Sequence, residues 1–456
     1  MELPFLDRKA ELARLRRFSR RPTGSLAVVY GRRRLGKSRL IRESLDMSRT
    51  VYYVGDDREA ALQRRALSRE ISRLLPGFER VTYPDWDSLL SRWWQEARPG
   101  WTLVIDELPA LVSVSPELPS LLQKHVDELG ACHLLLCGSS QRLMQGLALD
   151  RTAPLFGRSQ ELFRVGPLSA GWIQRSTPSL DAARAVEAWA VWGGVPRYWE
   201  LAAQHPDLDE GIRELVLDPL GVLYDEPAAL LLDDLRDTVQ SLSILEVIAN
   251  GCHRMSEIGA RLAKPATSLM RPLQRLIELG YVRRDQPFGS LPRDSKRSLY
   301  RLADPFLRFW FRYVSPNRSS LELRYLDPVV EMVKRTRGEF TSWAWEELAR
   351  QSLPALDLFD THWNVAAPWW GPGMDGRPLE LDVVSESLDG ASVLLGSVKW
   401  EDKTDIRREL QSLQAAAVRL PLVRQRPVYV VVFVQAAGRP RPEVVGPGAV
   451  LEALRR

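Results

Sequence analysis

Leu26-Ala27-Val28-Val29-Tyr30-Gly31-Arg32-Arg33-Arg34-Leu35-Gly36-Lys37-Ser38 is an apolar run that ends in G-x-x-x-x-G-K-S. It reads as a strand, a phosphate loop and the first turn of a helix. Successive backbone N–H groups of such a loop converge on β- and γ-phosphates, Lys37 adds a mobile positive charge, and the Ser38 hydroxyl suits Mg²⁺. Gly31 and Gly36 allow the tight backbone path, and the residues Arg32, Arg33, Arg34, Leu35 and Arg39 complete the expected nucleotide contact. The competing reading is a chance match on a surface turn. The apolar strand before the motif and the helix-compatible Arg39–Asp46 after it are the context a nucleotide site requires.

With 456 residues the chain exceeds the ~100–200 of one domain, so several domains are expected. Hydrophobic and charged fractions of 45% and 27% are ordinary, which excludes a disordered chain. A formal charge of +5 favours polyanion contact only weakly at this size. The three cysteines Cys132, Cys137 and Cys252 form neither a CxxC pair nor an even framework. Buried reduced thiols and a cytoplasmic location are expected. The basic N-terminal stretch is not followed by an apolar segment, and no apolar run approaches ~18 residues, so neither export nor membrane spanning is supported.

A second strand is expected at Thr50–Gly55, and a third at Trp101–Glu107, ending in the carboxylates Asp106-Glu107. At the carboxyl end of a strand parallel to the phosphate-loop strand, Asp106 would hold Mg²⁺, and Glu107 would orient and deprotonate the attacking water. Helix capping is the alternative. His133–Cys137 is a fourth strand, followed by Gly138-Ser139-Ser140, where a hydroxyl such as Ser139 meets a γ-phosphate or caps the next helix. Arg158 either neutralises transition-state charge, in this subunit or a neighbour's, or forms a surface ion pair.

Together FLDRKAEL, GRRRLGKS, VIDELPAL, CGSS and Gly193-Gly194-Val195-Pro196-Arg197-Tyr198 resemble the archaeal-type ATPase family, a branch of the AAA+-related P-loop ATPases. The resemblance covers about the first half of the chain. It implies a central phosphate-loop strand, a helical lid with GGVPRY near the nucleotide, ATP and Mg²⁺ as ligands, and homo-oligomers. It also implies phosphate, metal and water-activating roles for Lys37, Ser38, Asp106 and Glu107, and a phosphate contact for Arg158.

From Ser241 three short helices precede strands at Tyr281–Arg284 and Ser298–Leu302, the pattern of a winged helix. Arg271 and Arg275 on its third helix, with Arg283, Arg284, Arg293, Lys296 and Arg297 on its wing, are candidate contacts to double-stranded DNA. A mechanical part packed on the ATPase, or a protein partner, is the alternative. Asp304–Tyr313 (DPFLRFWFRY) is too aromatic for a free linker and must bury itself; it reads as a hinge, with base stacking a minor alternative.

The last ~120 residues read as a helix at Gly338–Gln351, strands at Trp363–Ala366, Leu379–Val384, Ala391–Trp400 and Pro427–Gln435, and a basic helix at Lys403–Ala417. Asp382 and Ser397-Val398-Lys399, with Glu346 as a helical acid, resemble the PD-(D/E)XK nuclease superfamily. Ser397 stands where that superfamily has a glutamate, and a hydroxyl is a poor Mg²⁺ ligand. Glu380 shares the face of Asp382 by strand alternation and is the best expected substitute.

The expected fold class is therefore α/β. It comprises a P-loop ATPase core (1–170) with a helical lid (171–237), a winged helix with aromatic hinge (238–314) and a small restriction-endonuclease-like domain (315–456). The expected function is an ATP-hydrolysing switch coupled to DNA or partner binding, with a degenerate nuclease-like domain. An ATP-regulated nuclease and a nucleotide-stabilised scaffold are the alternatives.

Overall fold

The computed structural model describes residues 3–128, 130–177, 180–235, 238–291, 297–401, 403–423, 425–437 and 441–455, apart from the Asp233 side chain. Its contacts form two compact units, one of Asp7–Pro167 with Leu230–Arg236, the other of Met1–Leu6, Leu168–Ala229 and Asp237–Arg456. The segments read from sequence as winged helix and nuclease-like domain thus share one unit with the lid up to Ala229, while Leu230–Arg236 of the lid belongs to the other. Among the described residues no helix is long and apolar enough to cross a membrane.

The first unit runs α1 (Lys9–Phe18), β1 (Ser25–Tyr30), α2 (Lys37–Ser44), β2 (Thr50–Val54), α3 (Ala60–Ile71), α4 (Trp86–Glu96), β3 (Thr102–Asp106), α5 (Leu108–Val114), α6 (Leu118–Asp127), β4 (His133–Gly138), α7 (Gln141–Ala148) and β5 (Glu161–Arg164). The strands pair in parallel in the order β2-β3-β4-β1-β5. Strands β1, β3 and β4 are buried along their whole lengths, which explains why they read as continuous apolar runs rather than alternating ones. Between β1 and β3 the chain makes its other sheet excursion, so β4 separates the phosphate-loop strand from the Asp106 strand. That order brings the carboxyl ends of β1, β3 and β4 together, where ligands of such sheets bind.

In the second unit α8 (Ala170–Ser176), α9 (Ala182–Trp192), α10 (Pro196–Ala202) and α11 (Leu208–Ile212) lead to α12 (Glu226–Asp234), whose end contributes to the first unit. Three helices follow, α13 (Thr238–Ala249), α14 (Met255–Arg261) and α15 (Ala266–Glu278), and then an antiparallel pair, β6 (Val282–Asp285) and β7 (Leu299–Leu302).

The aromatic α16 (Pro305–Tyr313) buries Phe306, Leu307, Phe309, Trp310, Phe311 and Tyr313. Phe306 packs 4.7 Å from Tyr198, and Phe309 5.6 Å from Phe340, centroid to centroid. These contacts make it a core element of its unit rather than a hinge, and no ring of this set is exposed for base stacking.

After α17 (Arg318–Glu322), the expected helix Gly338–Gln351 is the last half of a 26-residue one, α18 (Asp327–Ser352). A mixed sheet then forms from β8 (Ala367–Pro372), β9 (Pro378–Glu386), β10 (Val393–Lys399), β11 (Val428–Val434) and β12 (Val444–Val445), in the order β12-β11-β10-β9-β8. Helix α18 and α20 (Pro447–Ala453) cover one face through Trp345, Leu394, Val398 and Phe433. Helix α19 (Ile406–Arg419) covers the other through Leu395, Leu413 and Val432. The first strand of this sheet begins at Ala367, after the expected Trp363–Ala366; Trp363 makes only an isolated bridge to Ser387.

Candidate active site

The phosphate loop is built by steric necessity. Gly31 has φ +150° and a Cβ there would lie 2.4 Å from the Val165 carbonyl oxygen, so any side chain would push the loop off β5. Gly36 is left-handed at φ 85° and caps α2. The first-turn N–H groups of α2 are left without helical acceptors and point out of the loop, which fits a phosphate. Leu35 is buried, as is Arg32, whereas Arg33 and Arg34 are exposed and Arg39 is half-buried. Lys37, 6% exposed, donates from Nζ to the carbonyls of Gly31 at 2.7 Å and Arg32 at 3.0 Å, which holds its charge over the loop.

Two carboxylates face that loop from the end of β3. Asp106 is buried and accepts on Oδ2 from Ser38 Oγ at 2.7 Å and from Tyr52 OH at 2.5 Å. Its Oδ1 accepts the Glu107 N–H at 3.0 Å. Ser38 and Asp106 thus offer adjacent oxygens of the kind Mg²⁺ takes, with coordination left for phosphate and water. Glu107 has φ 51°, a conformation costly for a residue with a Cβ. Its carboxylate accepts from the Ser139 N–H at 3.1 Å and from the Ser139 hydroxyl. Ser140 caps α7, its Oγ accepting from Leu143 N–H at 3.4 Å.

Tyr52 was not singled out by the sequence, because an apolar β-strand aromatic looks like core. Its hydroxyl pKa is pushed well above the ordinary phenol range, by burial first and then by the Asp106 charge. It therefore acts as a donor that fixes Asp106 as an acceptor. Cys137 is likewise pushed up by burial and Asp106 and is an inert thiol.

Arg158 lies elsewhere. It precedes β5, where Gln160 N–H bonds Leu26 O, so it sits at the amino edge of the sheet. A strand of six residues, ~20 Å, separates that edge from the phosphate loop. Its guanidinium bonds Asp127 at 2.8 and 3.1 Å. The expected finger role within one subunit is therefore corrected to a surface ion pair. Gly193–Tyr198 belongs to the second unit.

Of the expected DNA contacts, Arg271 is exposed on α15 and Arg275 is half-buried, 3.3 Å from Glu278. The wing set is corrected. Arg283 pairs with Asp285 at 3.0 Å and with Glu347, and lies 5.2 Å over the Trp343 ring. Arg297 donates to the Trp370 carbonyl, and Arg284 to Ser298 Oγ at 2.7 Å. These three side chains are held by their own unit. Lys296 and Arg293 lie outside the described residues.

At the nuclease-like cluster, Ala367 pairs with Val384 but Trp369 with Leu381, so β9 carries one extra residue beside Asp382. This bulge re-aims Asp382, whose Oδ2 accepts the Val398 N–H of β10 at 2.8 Å. The extra residue lies after Leu381, so alternation holds up to Asp382: Leu379 and Leu381 face the α19 core, and Glu380, exposed, lies on the other face with Asp382, which feels it as a like charge.

Arg350 donates to the Asp382 carbonyl at 2.9 Å and stands 3.5 Å from Glu346. Burial pushes Glu346 and Asp382 above the usual carboxylate range, and each then feels Arg350 as an opposing charge. Glu409 of α19, missed in the sequence, accepts from Ser397 Oγ at 2.8 Å and lies 3.7 Å from Lys399 Nζ. Its distance of ten positions beyond Lys399, in a separate helix, hid it. Among the described residues no group of three or more acidic, histidine or cysteine side chains is gathered tightly enough for a metal.

Residues 5–201 match the family model described as an ATPase domain predominantly from Archaea, and residues 310–410 the model described as archaeal and bacterial proteins of unknown function. An uncharacterized protein of Methanocaldococcus jannaschii is 26% identical over 407 residues, 88% of each chain. A Walker-type ATPase of Pyrococcus abyssi aligns with a TM-score of 0.52 at 20% identity, covering 68% of this chain and 96% of that one. The ORC2 protein of Aeropyrum pernix aligns at 0.45 and 14% identity, over 74% and 97%. The chain thus carries an archaeal-type P-loop ATPase domain, with a separate α/β domain at its C-terminal end.

Proposed function

We propose that this chain is an ATP-hydrolysing switch whose nucleotide state sets what its second unit binds. The observation that carries the reading is the division of labour at the end of β3: Asp106 is tied to the phosphate-loop Ser38, and Glu107 to Ser139, just past the end of β4. When bound, Mg²⁺ neutralises phosphate charge and polarises the bond to be cleaved. Ser38 and Asp106 would hold it, Lys37 would bind phosphate oxygens, and Glu107 would orient a water and take its proton.

The same contacts suggest how the state is passed on. Ser139 lies two residues before Gln141, whose N–H at the start of α7 donates to Asp234 Oδ1 at 2.8 Å. Release of Ser139 from Glu107 would shift α7 and with it the segment at Asp234, from which the chain continues into the second unit. The γ-phosphate then supplies the differential contact that any such shift requires.

Residues 238–302 have the element order of a winged helix, and exposed Arg271 with Arg275 is its candidate DNA surface. ATP turnover by the full chain, measured with and without double-stranded DNA, tests the coupling. Stimulation that is lost in Arg271→Ala/Arg275→Ala supports it, and a rate indifferent to DNA moves the trigger to a protein partner. A transition-state arginine in this reading comes from a second copy in a homo-oligomer.

One observation favours a second reading, a metal-dependent nuclease regulated by ATP. Glu409 supplies a carboxylate beside Ser397 and Lys399, where the strand glutamate is missing. With Asp382 it would give Mg²⁺ two protein oxygens, enough when a phosphate adds more. Magnesium-dependent DNA cleavage lost alike in Asp382→Ala, Lys399→Ala and Glu409→Ala is the supporting result. Absence of cleavage by the parent chain leaves the switch alone.

A further inference from the structure

At the amino edge of the first unit's sheet, opposite the phosphate loop, lies a cavity of about 580 Å³ lined by Arg16, Arg20, Arg21 and Arg49, with Asp46 its one acidic residue. A second cavity adjoins it, sharing Arg16, Arg20 and Arg21 and adding Arg17. The basic surface is therefore a continuous concave stripe along the end of α1 rather than one point.

Its charge is poorly compensated from within. Glu161, buried at the start of β5, is 2.7 Å from Arg14, 3.6 Å from Arg17 and 4.0 Å from Arg21, so one carboxylate serves three guanidiniums. Asp46 is engaged by the Ser48 N–H at 3.0 Å and hydroxyl at 2.6 Å, and reaches Arg49 only at 3.8 Å. Among the described residues the Arg16 guanidinium has one long contact, 3.4 Å to the Glu43 carbonyl. Among the described residues the Arg20 guanidinium has no partner, and Arg21 Nε is buried without an acceptor. Like charges gathered this way repel at close range, and an oxyanion relieves them.

We propose that this stripe binds the phosphodiester backbone of double-stranded DNA. Guanidinium forks match phosphate oxygens in pairs, and a stripe through two adjoining cavities suits a run of phosphates better than a single anion. Concavity sets it against a flat anionic membrane. The strand length of ~17–20 Å between this edge and the phosphate loop keeps it clear of ATP. The site is independent of Arg271 and Arg275, so its failure and that of the switch coupling are read separately.

The test is fluorescence anisotropy of a short labelled duplex with the full chain, without nucleotide, across a salt series. For Arg16→Ala/Arg20→Ala/Arg49→Ala, affinity is expected to fall on the order of 10-fold or more, and the slope of log K against log salt by about 2 to 3, one for each phosphate lost. Basal ATP turnover is expected to stay unchanged, which shows the fold intact. Unaltered affinity and slope in that variant overturn the proposal. So does loss of binding confined to Arg271→Ala/Arg275→Ala, or a parent chain that takes inorganic triphosphate at these arginines but leaves the duplex unbound.

Discussion

Glu107 pays for its position with a left-handed backbone, and the return is a carboxylate held against Ser139 at the mouth of the phosphate loop. Ser139→Ala removes the hydroxyl that restrains it. We expect ATP affinity within about twofold of the parent and turnover lowered on the order of 10-fold, since positioning rather than binding is lost. Steady-state kinetics beside a nucleotide-binding titration separates the two; equal losses in both would assign Ser139 to binding. Tyr52→Phe removes one of the two donors on Asp106 Oδ2. A weaker Mg²⁺ dependence with unchanged metal-free ATP binding is the expected result, and an unshifted magnesium titration would contradict it.

Elements carry the architecture through burial. Phe309 of α16 is fully buried against Tyr313 and Phe340. Phe309→Ala is expected to destabilise the second unit by ~3–5 kcal/mol, seen as an earlier unfolding transition in denaturant. A change within about 0.5 kcal/mol would restore the hinge reading of this helix. The core strands and the phosphate loop were legible in the sequence because continuous apolar runs and a glycine-bounded loop are local patterns. Asp106 and Glu107 were legible from their place at a strand end. Tyr52, Asp234 and Glu409 were not, since each joins its site through a side chain from a distant element. The bulge after Leu381 was not legible either: one extra residue inverts every later side chain, and no local pattern announces it. Arg283 and Arg297 were misread for a simpler reason: charge in a sequence does not say whether a guanidinium faces solvent or an aromatic ring.

For the whole molecule, pH acts through its buried titratable groups. Burial is the first cause that pushes His125, His133 and His253 below the ordinary imidazole range. The unfolded chain then binds more protons than the folded one between those depressed values and about 6.5. The contribution is complete above that window and is lost as pH falls through it. Glu346 and Asp382, pushed up by burial, act in the opposite sense over the carboxylate range below it. Thermal unfolding is therefore expected to move to lower temperature between about pH 7.5 and 5.5, and a flat or rising midpoint would contradict this.

The account as a whole rests on hydrolysis at the end of β3, and turnover by Glu107→Gln tests it most directly. With Lys37→Ala as the blank that should neither bind nor hydrolyse, Glu107→Gln is predicted to bind ATP as the parent does. Its turnover should fall by ~10²-fold or more, the usual range for a lost general base. Hydrolysis by Glu107→Gln at the parent's rate would contradict the mechanism and leave the phosphate loop as the holder of a nucleotide that it does not consume.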